Sequence, residues 1–190
     1  MRKFLSDYSV EHKICGKVIV AKSPSELNSL DELFRRGTEN GAVLEMIDKS
    51  KLRDINPHAI THERAIWSPK TAVGNPMDAL ATLRHEVESN NVKLLTAQQV
   101  VSIEGKMVLT DTGEAFVASN AVVNVAGAGA LELAQRQGLG KKYRLTPFAG
   151  YYKYLDPKSS SPTHIYPVPD LNLPFLGVHI TTTPSGLLKV

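Results

Sequence analysis

The run AVVNVAGAGAL, residues 121–131, decides how this chain reads. Ala121 to Val125 are near-continuously apolar, the pattern of a strand buried on both faces of a parallel sheet. The small residues Ala126, Gly127, Ala128 and Gly129 follow, and then ALELAQRQG, a helix with Gly138 as its stop. A strand that passes through such a turn into a helix delivers backbone N–H groups to a phosphate. Gly127 and Gly129 carry no Cβ, so a pyrophosphate can approach the backbone there. Tight packing of the helix on the sheet is the other reading of the same glycines. As a G-x-G-x-x-G run the stretch fails, because Glu132 stands in the sixth position. No acidic residue follows at the spacing that would hold a ribose, and no such fingerprint opens a first strand–helix–strand unit anywhere in the 190 residues. The chain reads as the middle of a nucleotide-binding architecture without its beginning.

Working outward, Ile14–Ala21 (ICGKVIVA) is β-branched and reads as a strand. The next helix has Ser23 as N-cap, Pro24 in its first turn and Glu26 closing a capping box; Leu27, Leu30 and Phe34 share one face. Val43–Ile47 reads as a strand, Asp48 caps a short helix through Ile55, and Arg64–Pro69 is another strand. KTAVGNP (70–76) reads as a loop. A helix then starts at Asn75–Pro76 with Leu80, Leu83 and Val87 inward, closing at Asn90–Asn91. Val92–Leu94 and QQVVSI suggest two short strands, and GKMVLTDTGEAFVA a β-hairpin about Asp111-Thr112-Gly113. After Gly140 helical patterns disappear. YRLTPFAGYYKYL, THIYPVP, PFLGVHITT and GLLKV are strand-like, which predicts an antiparallel sheet. The expected fold class is α/β plus antiparallel β. Residues 1–75 and 141–190 build a mostly antiparallel sheet, and residues 76–140 form part of a Rossmann-like FAD/NAD(P)-binding domain.

The composition is that of a soluble globular chain, with 42% hydrophobic and 22% charged residues. Lys+Arg 22 against Asp+Glu 19 leaves +3, and the excess is not gathered into a nucleic-acid-binding run; Lys141, Lys142 and Arg144 read as a solvated corner. Cys15 stands alone, which excludes an internal disulfide and fits a reducing compartment; in a strand-like run it reads as a buried structural thiol. The N-terminus has no apolar signal region and no run reaches membrane-spanning length, so a cytoplasmic location is expected, with peripheral contact at the inner membrane face left open. The histidines show no metal-ligand spacing.

The order helix 76–90, short strand, QQVVSI, hairpin, AVVNVAG resembles the second half of the FAD-binding domain in D-amino-acid-oxidase-like flavoproteins. The C-terminal third narrows the likeness. I-Y-P-V-P-D (165–170) followed by P-F-L-G-V-H-I-T (174–181), together with C-G-K-V-I-V-A (15–21) and the Pro-His of NPHA, resembles the L-2-hydroxyglutarate dehydrogenase/oxidase branch. The resemblance runs from about Glu11 onward. It implies FAD as cofactor, with Val100 near the adenine and Ala126 and Gly127 on the pyrophosphate side. It also implies oxidation of a 2-hydroxy acid by hydride transfer to the flavin, which a quinone or oxygen then reoxidises. That chemistry requires a base for the hydroxyl proton, and His179 in GVHIT is the candidate. Tyr166 can donate to a substrate carboxylate or serve as aromatic filler. Tyr151 and Tyr152 alternate, so at most one enters a pocket. Lys70 stands where relatives place a loop near the substrate.

The chain departs from that branch at Pro147–Tyr152, where P-F-R-G-[ED]-Y is usual and P-F-A-G-Y-Y is present. If the missing arginine holds a carboxylate, Ala149 works against a dicarboxylate substrate, a truncated buried charge pair costing about 2–5 kcal/mol. The resemblance further implies an internal fragment, expected to bind FAD weakly or not at all by itself, and to self-associate through exposed sheet edges or cover that surface with polar contacts. A non-catalytic or split-gene subunit, completed by a partner chain that carries GxGxxG, is the alternative.

Overall fold

The computed structural model describes residues 2–156, 158–170, 172–173 and 175–190; Pro174, which opens the PFLGVHITT run, lies outside them. The chain forms two compact units, Met1–Glu86 with Tyr151–Val190, and Val87–Gly150. The first contains α1 (Arg2–Asp7), β1 (His12–Ile14), β2 (Lys17–Val20), α2 (Leu27–Glu39), β3 (Glu45–Asp48), α3 (Lys49–Ile55), β4 (Arg64–Ser68), β5 (Ala72–Gly74) and most of α4 (Pro76–Ser89). The second contains β6 (Val100–Glu104), β7 (Met107–Thr110), β8 (Ala115–Val117) and α5 (Ala130–Arg136). The chain then returns to the first unit with β9 (His164–Pro167), β10 (Thr181–Thr182) and β11 (Leu188–Lys189).

A four-stranded sheet in the order β3-β4-β2-β9 centres the first unit. Its β3–β4 and β4–β2 pairings are antiparallel, and β2–β9 is parallel. The sheet is therefore mostly antiparallel, as the sequence predicts, with one parallel edge. Strand alternation sends Val18 and Val20 to one face, where they pack with Ile47, Ala65 and Leu52 of α3. Ile19, Ile66 and Met46 face the other way, onto Leu27, Leu30, Leu33 and Phe34 of α2. Leu30 and Ile66 are fully buried, each worth about 1.5–3 kcal/mol of transfer from water. The apolar stripe of α2 is the predicted one, but its start differs. Ser23 makes no capping bond; Pro24–Glu26 is a 3₁₀ turn, and Glu26 accepts from the Lys22 N–H at 2.6 Å. Asp48 does cap α3, accepting from Lys51 N–H at 2.8 Å.

In the second unit β6, β7 and β8 form the predicted hairpin extended to three antiparallel strands, and α5 follows the glycines. Residues 121–126 are not the predicted strand. Val123 and Val125 are 76% and 83% exposed. Among the described residues no strand lies alongside to complete a ladder, and Asn124 makes local bonds instead. Its Nδ2 donates to Ala130 O at 2.8 Å, and its Oδ1 accepts from Ala126 N–H at 3.3 Å. The short strand expected at Val92–Leu94 is likewise absent.

Other expectations are corrected in the first unit. The run Ile14–Ala21 breaks at Gly16, whose φ of +69° lies outside the strand region. The expected loop 70–76 contains β5, which pairs with β1. Leu80 and Leu83, expected inward, are 59% and 43% exposed. The tyrosine-rich run at 143–155 contributes a single bridge, Tyr154 to Lys189.

Gly16 joins the two strands because nothing larger fits: a Cβ there would overlap the Trp67 indole. Gly16→Ala is expected to destabilise the chain by about 2 kcal/mol or more, combining left-handed backbone strain with overpacking. Urea unfolding of the two proteins measures this, and coincident midpoints would show that the indole has room to move.

Candidate functional site

The register of β2 with its neighbours builds a polar end on one face of the central sheet. Lys17 lies beside Ser68 and His164, and Ile19 lies beside Ile66 and Tyr166. Paired residues share a face, so Lys17, Ser68, His164 and Tyr166 project on the side that α2 covers at the Ile19–Ile66 end. Ile165 points the other way, into the core with Val18 and Trp67.

His164 is buried and bonded at both nitrogens. Nδ1 accepts from the Thr182 backbone N–H at 3.1 Å, and Nε2 lies 3.3 Å from Cys15 Sγ. Because the backbone N–H can only donate, the neutral ring carries its proton on Nε2 and donates to the sulfur. Burial, then the nearby Lys17, His179 and Lys189, push the His164 pKa below its usual value. Burial likewise pushes the Cys15 thiol up. The pair is thus a neutral imidazole beside a neutral thiol, the structural cysteine that the sequence predicts and not an activated nucleophile.

His179 is half-buried, and its ring centroid lies 4.7 Å from that of Tyr166 at 48°. Its Nδ1 is 2.9 Å from the Gly177 carbonyl. A carbonyl only accepts, so Nδ1 carries a proton, and Nε2 has no partner among the described residues. Tyr166 is half-buried, and burial, followed by Tyr152 and Cys15, raises its pKa, so the phenol stays a donor. Lys17 Nζ sits 5.2 Å from the Tyr166 ring centroid and Lys189 Nζ 4.6 Å from that of Tyr152.

Of the residues read from the sequence, His179 and Tyr166 come together. Tyr151 is 91% exposed. Lys70 is exposed in the turn after β4 and lines a separate hollow of about 640 Å³ with Arg2, Leu5, Leu80 and Leu83. In the second unit Val100 and Ala126 line one cavity of about 280 Å³, together with Gln98, Gly129, Leu133 and Arg136. Gly127 has φ +54°, and a Cβ built there would meet nothing within 4 Å. Val100 and Ala126 therefore share one cavity, and Gly127 follows Ala126 with open space at its Cα. Lys17, His164 and Lys189 were not singled out in the sequence. Strand alternation marks Lys17 and Ile19 as same-faced, but only the long-range register with β9 brings Tyr166 to them.

Over residues 1–190 the sequence matches the FAD dependent oxidoreductase family, DAO. The chain belongs to this family. It is 33% identical over 195 residues to the mitochondrial L-2-hydroxyglutarate dehydrogenase of Caenorhabditis elegans, which aligns with 97% of this chain and 45% of its own length. The L-2-hydroxyglutarate dehydrogenase of Escherichia coli K12 is 28% identical, with 100% of this chain and 46% of that protein covered. Among solved structures, L-proline dehydrogenase from P. horikoshii superposes with a TM-score of 0.77 at 18% identity, over 99% of this chain and 51% of that one. The chain thus spans about half the length of the relatives it matches. FAD is the cofactor of the family. Among the described residues no helix is long and apolar enough to cross a membrane.

The lowered pKa of His164 has a consequence for stability. The unfolded chain, with a histidine near 6.5, binds a proton that the folded site resists. The stabilisation is complete above about pH 6.5 and is lost as pH falls through the lower folded value. Thermal unfolding between pH 7.5 and 5 should show a falling midpoint, and His164→Gln should flatten that part of the slope; parallel slopes for the two proteins would exclude His164 as its source.

Proposed function

We propose that this chain belongs to an FAD-dependent enzyme that oxidises a 2-hydroxy acid of the L-2-hydroxyglutarate kind. The observation that carries this reading is the tautomer of His179, held by Gly177 O so that Nε2 is free to take a proton beside Tyr166. Oxidation of a 2-hydroxy acid removes a hydride from the α-carbon and a proton from the hydroxyl. FAD, when bound, supplies the hydride acceptor. His179 Nε2 accepts the hydroxyl proton, and the Tyr166 phenol donates to a carboxylate oxygen of the substrate. The face of the Tyr166 ring holds the imidazole in place through the 4.7 Å contact.

In this proposal residues 76–140 are the FAD side, with Val100, Ala126 and Gly127 bordering the nucleotide; residues 1–75 and 141–190 are the substrate side. Tyr151 and Lys70 are left as contributors to substrate binding from outside the His179–Tyr166 pair. The names of the relatives support the substrate class, since both curated proteins cited are L-2-hydroxyglutarate dehydrogenases. The electron acceptor is a quinone or oxygen. A cytoplasmic setting remains part of the proposal, supported by the single unpaired cysteine.

Anaerobic mixing of the FAD-loaded protein carrying this chain with L-2-hydroxyglutarate should bleach the flavin absorbance. His179→Gln is expected to slow the bleaching by about 10²- to 10⁴-fold, the usual contribution of a general base. Bleaching at the parental rate would remove His179 from the chemistry, and no bleaching by any 2-hydroxy acid would remove the reaction itself.

A further inference from the structure

Lys17 closes the C-G-K stretch, and the fold gives each residue of that stretch a partner around β9. Cys15 meets the His164 ring, Gly16 O accepts from the His164 N–H at 3.2 Å, and Lys17 lies over Tyr166. The first two contacts hold the strands together. The third does not account for a charged group, because a phenol ring compensates an ammonium only in part. Several cations have acids close by: Arg64 has Asp31 and Glu63, Arg35 has Glu32 and Glu39, Lys22 has Glu26, and Arg136 has Glu132; lysines with no ion pair among the described residues, such as Lys49 and Lys51, are exposed. Among the described residues Lys17 has no such acid, although it is half-buried. Burial alone moves its pKa, downward, with no carboxylate acting against the shift. Lys189 also has no ion-pair partner among the described residues. Besides burial, the groups that lower the His164 pKa are Lys17, His179 and Lys189, with no acid among the causes.

A half-buried ammonium beside a second lysine, two imidazoles and two phenols is a place that lacks an anion. We infer that Lys17 is the carboxylate-binding cation of this site and that Lys189 is the counter-charge for a second carboxylate of the substrate. The inference rests on the site proposed above, and it adds the side chains that hold the substrate's acid groups. A carboxylate on Lys17 gains a charge-assisted hydrogen bond and lies against the same Tyr166 ring that carries His179. A second carboxylate then has Lys189, above the Tyr152 ring, as its counter-charge.

The test is equilibrium binding of L-2-hydroxyglutarate and of L-lactate to the 190-residue chain by calorimetry. It is paired with NMR of the lysine ε-methylene groups. L-2-hydroxyglutarate should bind more tightly than L-lactate and should shift the Lys17 signal. Lys17→Met should weaken L-2-hydroxyglutarate binding about ten- to a hundredfold, the range for a hydrogen bond to a charged group, while Lys17→Arg should restore most of it. Lys49→Met, an exposed position on α3, should bind as the parent does. Equal binding by Lys17→Met, no preference over L-lactate, or an unmoved Lys17 signal in the parent each overturns the inference. The NMR signal is read in the unaltered chain, so it tests Lys17 even if Lys17→Met fails to fold. The outcome is separable from that of the oxidation chemistry. Flavin bleaching that survives His179→Gln removes the base and leaves the Lys17 result standing, and a Lys17 failure leaves the base intact.

Discussion

The parallel pairing of β2 with β9 is the constraint on which the site depends. It joins residues near the start of the chain to residues beyond position 160, and the Cys15–His164 contact spans 149 residues of sequence. Its register fixes which side chains share a face. A slip of β9 by one residue would replace His164 and Tyr166 by Thr163 and Ile165 on the face that Lys17 shares. Two local features hold the register. Gly16, in a left-handed conformation under the Trp67 indole, ends β1 and starts β2 at a defined residue. His164, bonded on both ring nitrogens, ties β9 to the Cys15 end and to the backbone of β10.

The two histidines near this pairing both meet the Tyr166 ring, yet their environments give them different work. His164 is enclosed and surrounded by positive groups, so it is kept neutral and serves as a strut. His179 is half-exposed, with one nitrogen committed to a carbonyl and the other uncommitted among the described residues. Tyr166 lies between them, 6.3 Å from one ring and 4.7 Å from the other, and is kept protonated by burial. The rigid ring contacts place a proton acceptor on a platform whose own acid–base chemistry stays silent near neutrality.

What the sequence disclosed followed from local physics. The stripe Leu27, Leu30, Phe34 predicted α2 and its buried face, Asp48 predicted the cap of α3, and Asp111-Thr112-Gly113 predicted the β7–β8 hairpin. His179 and Tyr166 were legible through the resemblance of the surrounding motif, and the structure brings the pair into contact. What escaped depended on partners distant in sequence. An apolar run such as Ala121–Val125 states that burial is suitable; it does not supply a neighbouring strand, and Val123 and Val125 stay exposed. The same limit hid Lys17, because its chemistry comes from a pairing that no local pattern encodes. It also misjudged Leu80 and Leu83, whose helical spacing is regular although the side chains remain exposed.

The division of the chain has a consequence for synthesis on the ribosome. Residues Val87–Gly150 interrupt the first unit in sequence, so β2, β3 and β4 emerge well before β9 exists. Until β9 arrives, β2 presents an open edge of unpaired N–H and C=O groups flanked by Val18 and Val20. At about 5–20 residues per second the wait lasts several seconds or more, long compared with the closure of a hairpin. The nascent sheet is therefore a natural client for a chaperone during that interval, and fast translation through the inserted unit shortens its exposure.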